Sequence, residues 1–228
     1  RLAEFFDWAA EVSTKTKLLN PLQVVKWSSD KHYLRDLVRA DVPSVLTKFI
    51  EPGESAAWRI AELLSEPNVE EFVVKPAIGA GSRDAQRFGP EEKDDAAEHA
   101  LRMLNERRSV LLQPYLNRVD EYGETALIYF EGEFSHAIRK GPLLKRKEGP
   151  TQELFARESI TARVPDAAEL GVGARAMGAM PFQTPLYARV DLIRDQKGEP
   201  VVLELELIEP SLFFPFAGGS AERFAASV

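Results

Sequence analysis

LYARVDLIRDQKGEPVVLELELIEP, Leu186–Pro210, contains two apolar, β-branched runs, LYARVDLI and PVVLELEL, separated by the turn-forming RDQKGE. Strand alternation places Arg189 and Asp191 on one face of the first run, and Glu204 and Glu206 on one face of the second. Antiparallel pairing about the turn would bring Asp191 and the two glutamates together, with Arg189 beside them. Carboxylates on a face that otherwise reads as apolar are costly to bury unless a cation lies among them. A hard divalent ion, Mg²⁺ above all, suits such donors and keeps open positions for phosphate. The simpler reading is an amphipathic hairpin whose wet face is acidic, and this stretch alone does not separate the two.

The rest of the composition narrows the field. At 228 residues the chain can bury a sizeable core as one large domain or two small ones. Its 44% hydrophobic and 29% charged residues are those of a soluble globular protein, and no run approaches the roughly 18 apolar residues of a membrane span. There are no cysteines, which excludes disulfides, thiolate ligands and thiol nucleophiles, and three histidines make a zinc site a poor fit. A net charge of −7 argues against nucleic acid as the main partner. The first residue is Arg1, which leads us to expect a longer parent chain.

In chain order, LAEFFDWAAEV has helical spacing and is broken at Asn20-Pro21. LQVVKW reads as a short strand, and SSDKHYLRDLVRA as an amphipathic helix with Lys31 in its first turn. There Lys31 is either solvated or facing a bound anion, since a helix N-terminus disfavours positive charge. VPSVLTKFI is strand-like and EPGESAAWRIAELL helical. In EEFVVKPAIGAGSRDAQRF a strand carrying Lys75 enters a loop with Gly79, Gly81 and Ser82, then another strand. Small residues let backbone N–H groups approach a phosphate, although a plain glycine-rich turn looks the same. GPEEKDDAAEHALRMLNERR is a helix, and SVLLQPYL a buried strand broken at Pro114, with Gln113, Tyr115 and Leu116 at its end. GETALIYFEGEFSHAIRKG is a hairpin turning near Glu131-Gly132; its second strand delivers His136, which favours a structural role, and Arg139 and Lys140 on opposite faces. Residues 141–164 read as a flexible connection and a substrate lid, PDAAELGVGARAMGAM as a helix with Met177 and Met180 in packing roles, and the C-terminus as an apolar loop and a short helix.

Lys31, the Lys75 strand with its loop, Gln113–Leu116, and the Asp191/Glu204/Glu206 hairpin occur in an order that resembles the ATP-grasp superfamily, above all the ligases related to prokaryotic glutathione synthetase, D-alanine:D-alanine ligase and the ribosomal-protein glutamate ligases. The resemblance runs from about Asn20 onward. It implies an α+β fold, two lobes with antiparallel sheets clasping ATP, divided as 1–48 (a remnant of the N-terminal region and linker helix), 49–116 (small lobe) and 117–228 (large lobe). It implies that Lys31, Lys75, Gly79, Gly81 and Ser82 hold phosphates, that Gln113, Tyr115 and Leu116 hold adenine, and that Asp120 or Glu124 holds ribose. Asp191, Glu204 and Glu206 would bind Mg²⁺ or Mn²⁺, with Glu206 standing where the family usually has asparagine. Arg189 and Lys140 would be catalytic, and Glu209–Phe214 would border the acceptor pocket. The implied activity is an ATP-dependent carboxylate–amine ligase working through an acylphosphate, on small-molecule substrates, cytoplasmic, with a homodimer allowed. The competing class is an ATP-binding regulatory or interaction module with the same fold.

Overall fold

The computed structural model describes residues 2–147, 149 and 159–228. Two antiparallel sheets organise them. The smaller runs in the order β1–β4–β2–β3, from Lys48–Ile50, Phe72–Pro76, Gln86–Phe88 and Val110–Pro114. Period-two alternation gives it two different faces. Phe72, Val74, Val110 and Leu112 pack under α4 (Ala56–Leu64) and α5 (Lys93–Asn105) in a core with Ile60, Leu63, Phe88 and Met103, while Val73, Lys75 and Gln113 turn to a cavity on the other side.

The larger sheet has the order β7–β6–β5–β8–β9, built from β5 (Glu124–Phe130), β6 (Glu133–Lys140), β7 (Ile160–Arg163), β8 (Tyr187–Arg194) and β9 (Pro200–Glu206). Leu127, Tyr129, Val190, Leu192, Val202 and Leu205 pack with Val172 and Ala176 of α7 (Ala167–Gly178) and with the segment that holds α1 (Leu2–Ser13), α2 (Leu22–Ser28) and α3 (Tyr33–Arg39). On the opposite face Ala126, Ile128, Phe130 and Ile138 meet Leu212, Phe214 and Phe224, the last from α8 (Ser220–Ser227). A single-turn α6 (Val119–Tyr122) links the sheets. The β5–β6 turn falls at Glu131-Gly132 as predicted, both residues at positive φ (47° and 82°), the backbone twist a two-residue hairpin needs.

Three readings change. LQVVKW is helix α2, not a strand: Pro21 starts it, and Val24 and Val25 are buried by tertiary packing that overrides their β preference. Lys31 precedes α3, whose N-cap is His32, so it is not in a first helical turn. The span 141–164 is not all connection, because Ile160–Arg163 pairs with β6 as an edge strand; residues 148 and 150–158 of that span lie outside the described residues.

Asn20, expected only to break a helix, ties the parts together. Only 4% exposed, it donates from Nδ2 to the carbonyls of Tyr187 (2.9 Å) and Leu207 (2.7 Å) and accepts at Oδ1 from the Leu186 N–H (2.8 Å). It thereby clamps both open ends of the β8–β9 hairpin. Replacing Asn20 by Ala strands three backbone groups, and urea denaturation should show a loss on the order of 3 kcal/mol.

Candidate active site

The cavity between the sheets, about 370 Å³, is lined by charges from both. Register dictates the arrangement: Asp191 lies opposite Glu204 and Arg189 opposite Glu206, so all four share one face, and Lys140 opposite Glu124 continues the row. A bulge between Asp191 and Leu192 makes Leu203 the extra residue of β9, bringing it to the cavity wall beside Glu204.

Each acid of this row has a cation. Arg189 grips Asp191 with two bonds of 2.8 Å, and its Nη2 also meets Glu206. Lys140 Nζ is 2.7 Å from Asp191 and 2.8 Å from Glu124. Lys31 Nζ is 2.9 Å from Glu204 and donates to the Gly79 carbonyl at 3.1 Å, while its backbone N–H donates to Ala77. Burial opposes ionisation throughout, and the pairs decide the outcome. Asp191 stays well below the usual carboxylate range because Arg189 and Lys140 outweigh its burial. Lys31 and Lys140 are raised despite burial, by Glu204 and by Asp191 with Glu124 respectively. Glu206 is the exception: burial, and the neighbouring Asp191 and Glu204 charges, push it up to about 8 against the pull of Arg189.

Lys75 differs from the other cations. Its ammonium makes no ion pair or hydrogen bond among the described residues, although its backbone lies in the β2–β4 ladder, and burial lowers its pKa. It projects from β2 beside the Ile78–Asp84 loop, where Gly81, Ser82 and Asp84 all have positive φ.

The cavity wall includes Lys31, Lys75, Gly79, Gly81, Ser82, Gln113, Tyr115, Leu116, Lys140, Arg189, Asp191, Glu204 and Glu206, which the sequence also singled out. Asp120 is not brought to it. Its carboxylate accepts from the Tyr115 hydroxyl (2.5 Å) and faces Arg87 at 3.8 Å, while Arg87 stacks 3.4 Å from the Tyr115 ring. Glu124 is the acid that lines the cavity. At the strand end, the Tyr115 N–H is spent on the Glu71 carbonyl (2.7 Å), whereas the Leu116 N–H has no partner among the described residues. Gln113 is buried, its Nε2 held by Thr47 at 2.9 Å.

Among the described residues no three acidic or histidine side chains stand together as a ready metal cage. Asp191, Glu204 and Glu206 share a face, yet their carboxylates are drawn towards Arg189, Lys140 and Lys31. As hard oxygen donors aimed at one cavity, they fit a hard divalent cation in kind.

Some contributors carried no sequence signal. Leu143 and Leu144 line the cavity from the segment after β6, which Arg146 fastens to the other sheet through Glu92 (2.8 Å) and Glu71 (3.2 Å). Phe213, from the Glu209–Phe214 stretch the sequence had singled out, lines the cavity in a left-handed conformation (φ 51°), its ring 5.6 Å from the Arg189 guanidinium. His136 is structural: its Nε2 donates to the Leu212 carbonyl (2.8 Å), and its Nδ1 pairs with Ser135 (2.9 Å).

No family model matches the chain. The structure resembles D-alanine–D-alanine ligase from Bacillus anthracis complexed with ATP (TM-score 0.64, 16% identity, 91% of this chain, 66% of that one) and a RimK domain ATP-grasp protein from Sphaerobacter thermophilus (TM-score 0.69, 20%, 99% and 77%), likenesses that show the ATP-grasp fold. It matches D-cycloserine synthetase DcsG with a TM-score of 0.90 at 39% identity, over 100% of this chain and 78% of that one. The cycloserine biosynthesis protein DcsG of Streptomyces lavendulae is likewise 39% identical over 234 residues. The chain belongs to the ATP-grasp ligases, in the family of DcsG. It is an ATP-dependent ligase. Glutathione synthetase is the looser likeness. No helix among the described residues is long and apolar enough to cross a membrane.

Burial holds the His136 pKa below 6.5, so the native state binds fewer protons than the unfolded chain and stability falls as pH drops below about 6.5. His99 is lowered for the same reason and adds to the slope. Glu206, raised to about 8, works in the opposite sense over the same range, so the histidine share is read by difference: in paired thermal melts from pH 8 to 5, His136→Gln should lose less stability, or gain more, than the parent protein as pH falls, with the His99 share common to both.

Proposed function

We propose that the chain is an ATP- and Mg²⁺-dependent carboxylate–amine ligase that forms an amide through an acylphosphate. The observation that carries this is Lys75: a buried ammonium with no partner among the described residues, beside a loop with three residues at positive φ, in a cavity where Lys31, Lys140 and Arg189 are all paired. An unpaired, partly desolvated ammonium is a poor contributor to stability and a strong one to binding a phosphate.

In this reading the nucleotide lies between lobes 49–116 and 117–228. Lys31 and Lys75, with the N–H groups of Gly79, Gly81 and Ser82, hold the phosphates; Gln113, Tyr115 and the free Leu116 N–H hold the base; Glu124 rather than Asp120 holds the ribose. Asp191, Glu204 and Glu206 would hold Mg²⁺, which would supply positive charge to offset that of the phosphates. The substrate carboxylate oxygen attacks the terminal phosphorus, and ADP leaves. The amine nitrogen then attacks the acyl carbon, loses its proton, and inorganic phosphate leaves. Arg189 and Lys140 steady the charge that gathers on the carbonyl and phosphoryl oxygens, so catalysis is largely positioning and electrostatics. DcsG is named for cycloserine, whose amide is part of a small ring. The carboxylate and the nitrogen here belong to small molecules of that kind, on two substrates or on one.

ADP release with Mg²⁺-ATP, measured against a panel of small amino acids, aminooxy acids and carboxylates, tests the reading. Release stimulated by a carboxylate and a nitrogen nucleophile is the expected result. Nucleotide binding without stimulated release across the panel would favour the regulatory module.

Lys75→Met should lower kcat/KM about 100-fold and abolish nucleotide-induced thermal stabilisation, yet leave the nucleotide-free protein at least as stable. A less stable free protein would mean that Lys75 is structurally paired. Arg189→Lys should also cost about 100-fold, because one ammonium cannot reproduce the two-bond grip on Asp191 together with a contact to Glu206; turnover near wild type would remove Arg189 from its role.

A further inference from the structure

β9 is the last strand of its sheet, so the backbone groups on its outer side have no further strand to pair with. The chain before β1 takes that place at several points. Asn20 Nδ2 donates to the Leu207 carbonyl (2.7 Å), the Val45 N–H donates to the Val202 carbonyl (2.9 Å), and the Val202 N–H donates to the Pro43 carbonyl (2.8 Å). Between these contacts stands Tyr33, the first residue of α3, whose hydroxyl accepts from the Leu205 N–H (2.8 Å) and donates to the Leu205 carbonyl (3.3 Å). One side chain thus answers both backbone groups of one residue, and that residue lies between Glu204 and Glu206.

Packing alone gives no reason for the hydroxyl. Tyr33 is 2% exposed, and its ring lies 5.0 Å from that of Trp27, in the same apolar core as Val190, Val202 and Leu205. A phenyl ring would fill that volume. A buried hydroxyl is costly without a partner, and among the described residues this one has Leu205 alone. The Leu205 side chain turns into the core while Glu204 and Glu206 turn to the cavity, so the placement of the Leu205 backbone sets where both carboxylates begin. Lys31, two residues before Tyr33, reaches the same strand at Glu204 (2.9 Å), and Arg189 reaches it at Glu206. Those ion pairs can open when their charges turn to a ligand. The two Tyr33 bonds join uncharged groups outside the cavity and have no such reason to open.

We propose that Tyr33 is a positioning residue for the divalent-cation site: by holding Leu205 from outside the sheet, its hydroxyl fixes the spacing at which Glu204 and Glu206 present their oxygens. The assignment deepens the ligase reading and rests on it. Mg²⁺ tolerates little error, because it demands near-octahedral donors at about 2.0–2.1 Å. A strand free to shift by a fraction of that distance holds the cation poorly while leaving the cations and backbone donors of the phosphate wall in place.

Tyr33→Phe keeps the ring and its packing and removes both bonds. The probe is ADP, titrated calorimetrically in excess Mg²⁺ and again in EDTA, with amide exchange at Leu205 followed by NMR. Wild type should bind ADP more tightly with Mg²⁺. Tyr33→Phe should lose about tenfold of that Mg²⁺-dependent gain, bind metal-free ADP as wild type does, and exchange the Leu205 amide faster. In turnover, the Mg²⁺ concentration for half-maximal ADP release should rise while kcat at saturating Mg²⁺ stays close to wild type. A lower melting temperature with the Mg²⁺ gain intact overturns the assignment, since the bonds would then serve stability alone. So does equal weakening of ADP with and without Mg²⁺. Wild type supplies a check that needs no variant: the Leu205 amide should stay protected when Mg²⁺-ADP binds, and loss of its protection overturns the assignment. A wild type that binds ADP no better with Mg²⁺ than in EDTA would instead count against the metal site of the ligase reading, and the assignment would fall with it.

Discussion

The interaction on which the site depends is the double grip on Asp191. A carboxylate only 2% exposed stays ionised because a guanidinium on its own strand and an ammonium two strands away both close on it. Removing one partner of such a buried set costs on the order of 3–5 kcal/mol, since a charge is left without compensation. The set therefore behaves as a unit, and its members extend across four strands. Arg189 ties Asp191 to Glu206 on β9, and Lys140 ties it to Glu124 on β5. This sheet carries so many charges on one face because each acid there has a cation within ion-pair distance, including Asp191 and Glu204, which face each other as like charges and are answered by Arg189 with Lys140 and by Lys31.

What holds that face in place lies outside it. The opposite side of the larger sheet is apolar and packs on α7 and the N-terminal helices. Asn20 closes the open end of the β8–β9 hairpin, and His136 fastens the segment that follows β9. These two polar groups fix backbone, not substrate. They fix it near the cavity, where a register slip of one residue would send Asp191 and Arg189 into the apolar core.

The hairpin was readable from the chain because a period of two, once recognised, assigns every side chain to a face. The loop after Lys75 was readable because glycines mark backbone freedom. Three things were not readable, each for a physical reason. Helix α2 has a Val-Val pair with strand propensity, and only its burial against the N-terminal core decides otherwise. Strand β7 is four residues in a charged stretch, formed because the edge of β6 offers it partners rather than through any pattern of its own. Asp120 and Glu124 are both acids close after the end of β4, and nothing local distinguishes them. The Tyr115 hydroxyl and Arg87, from distant parts of the chain, draw Asp120 off the cavity.

The ion pairs also set a condition on binding. Without ligand, Lys31, Lys140 and Arg189 already answer Glu204, Glu124, Asp191 and Glu206, so among the described residues the cations of the wall left without an ion pair are Lys75 and, on its loop, the exposed Arg83. On the proposed reading, Glu204 and Glu206 would turn to a divalent cation arriving with the phosphates, and Lys31 and the Nη2 edge of Arg189 would then be free for phosphate and carbonyl oxygens. Such an exchange would replace internal pairs with pairs to ligand, which would keep the desolvation cost low on both sides of the binding step. Asp191 does not need to move, because Arg189 reaches it through Nε as well as Nη2. That division explains why the buried aspartate sits at the centre of the cluster and the two glutamates, on longer side chains at the sheet's edge strand, sit at its exchangeable rim.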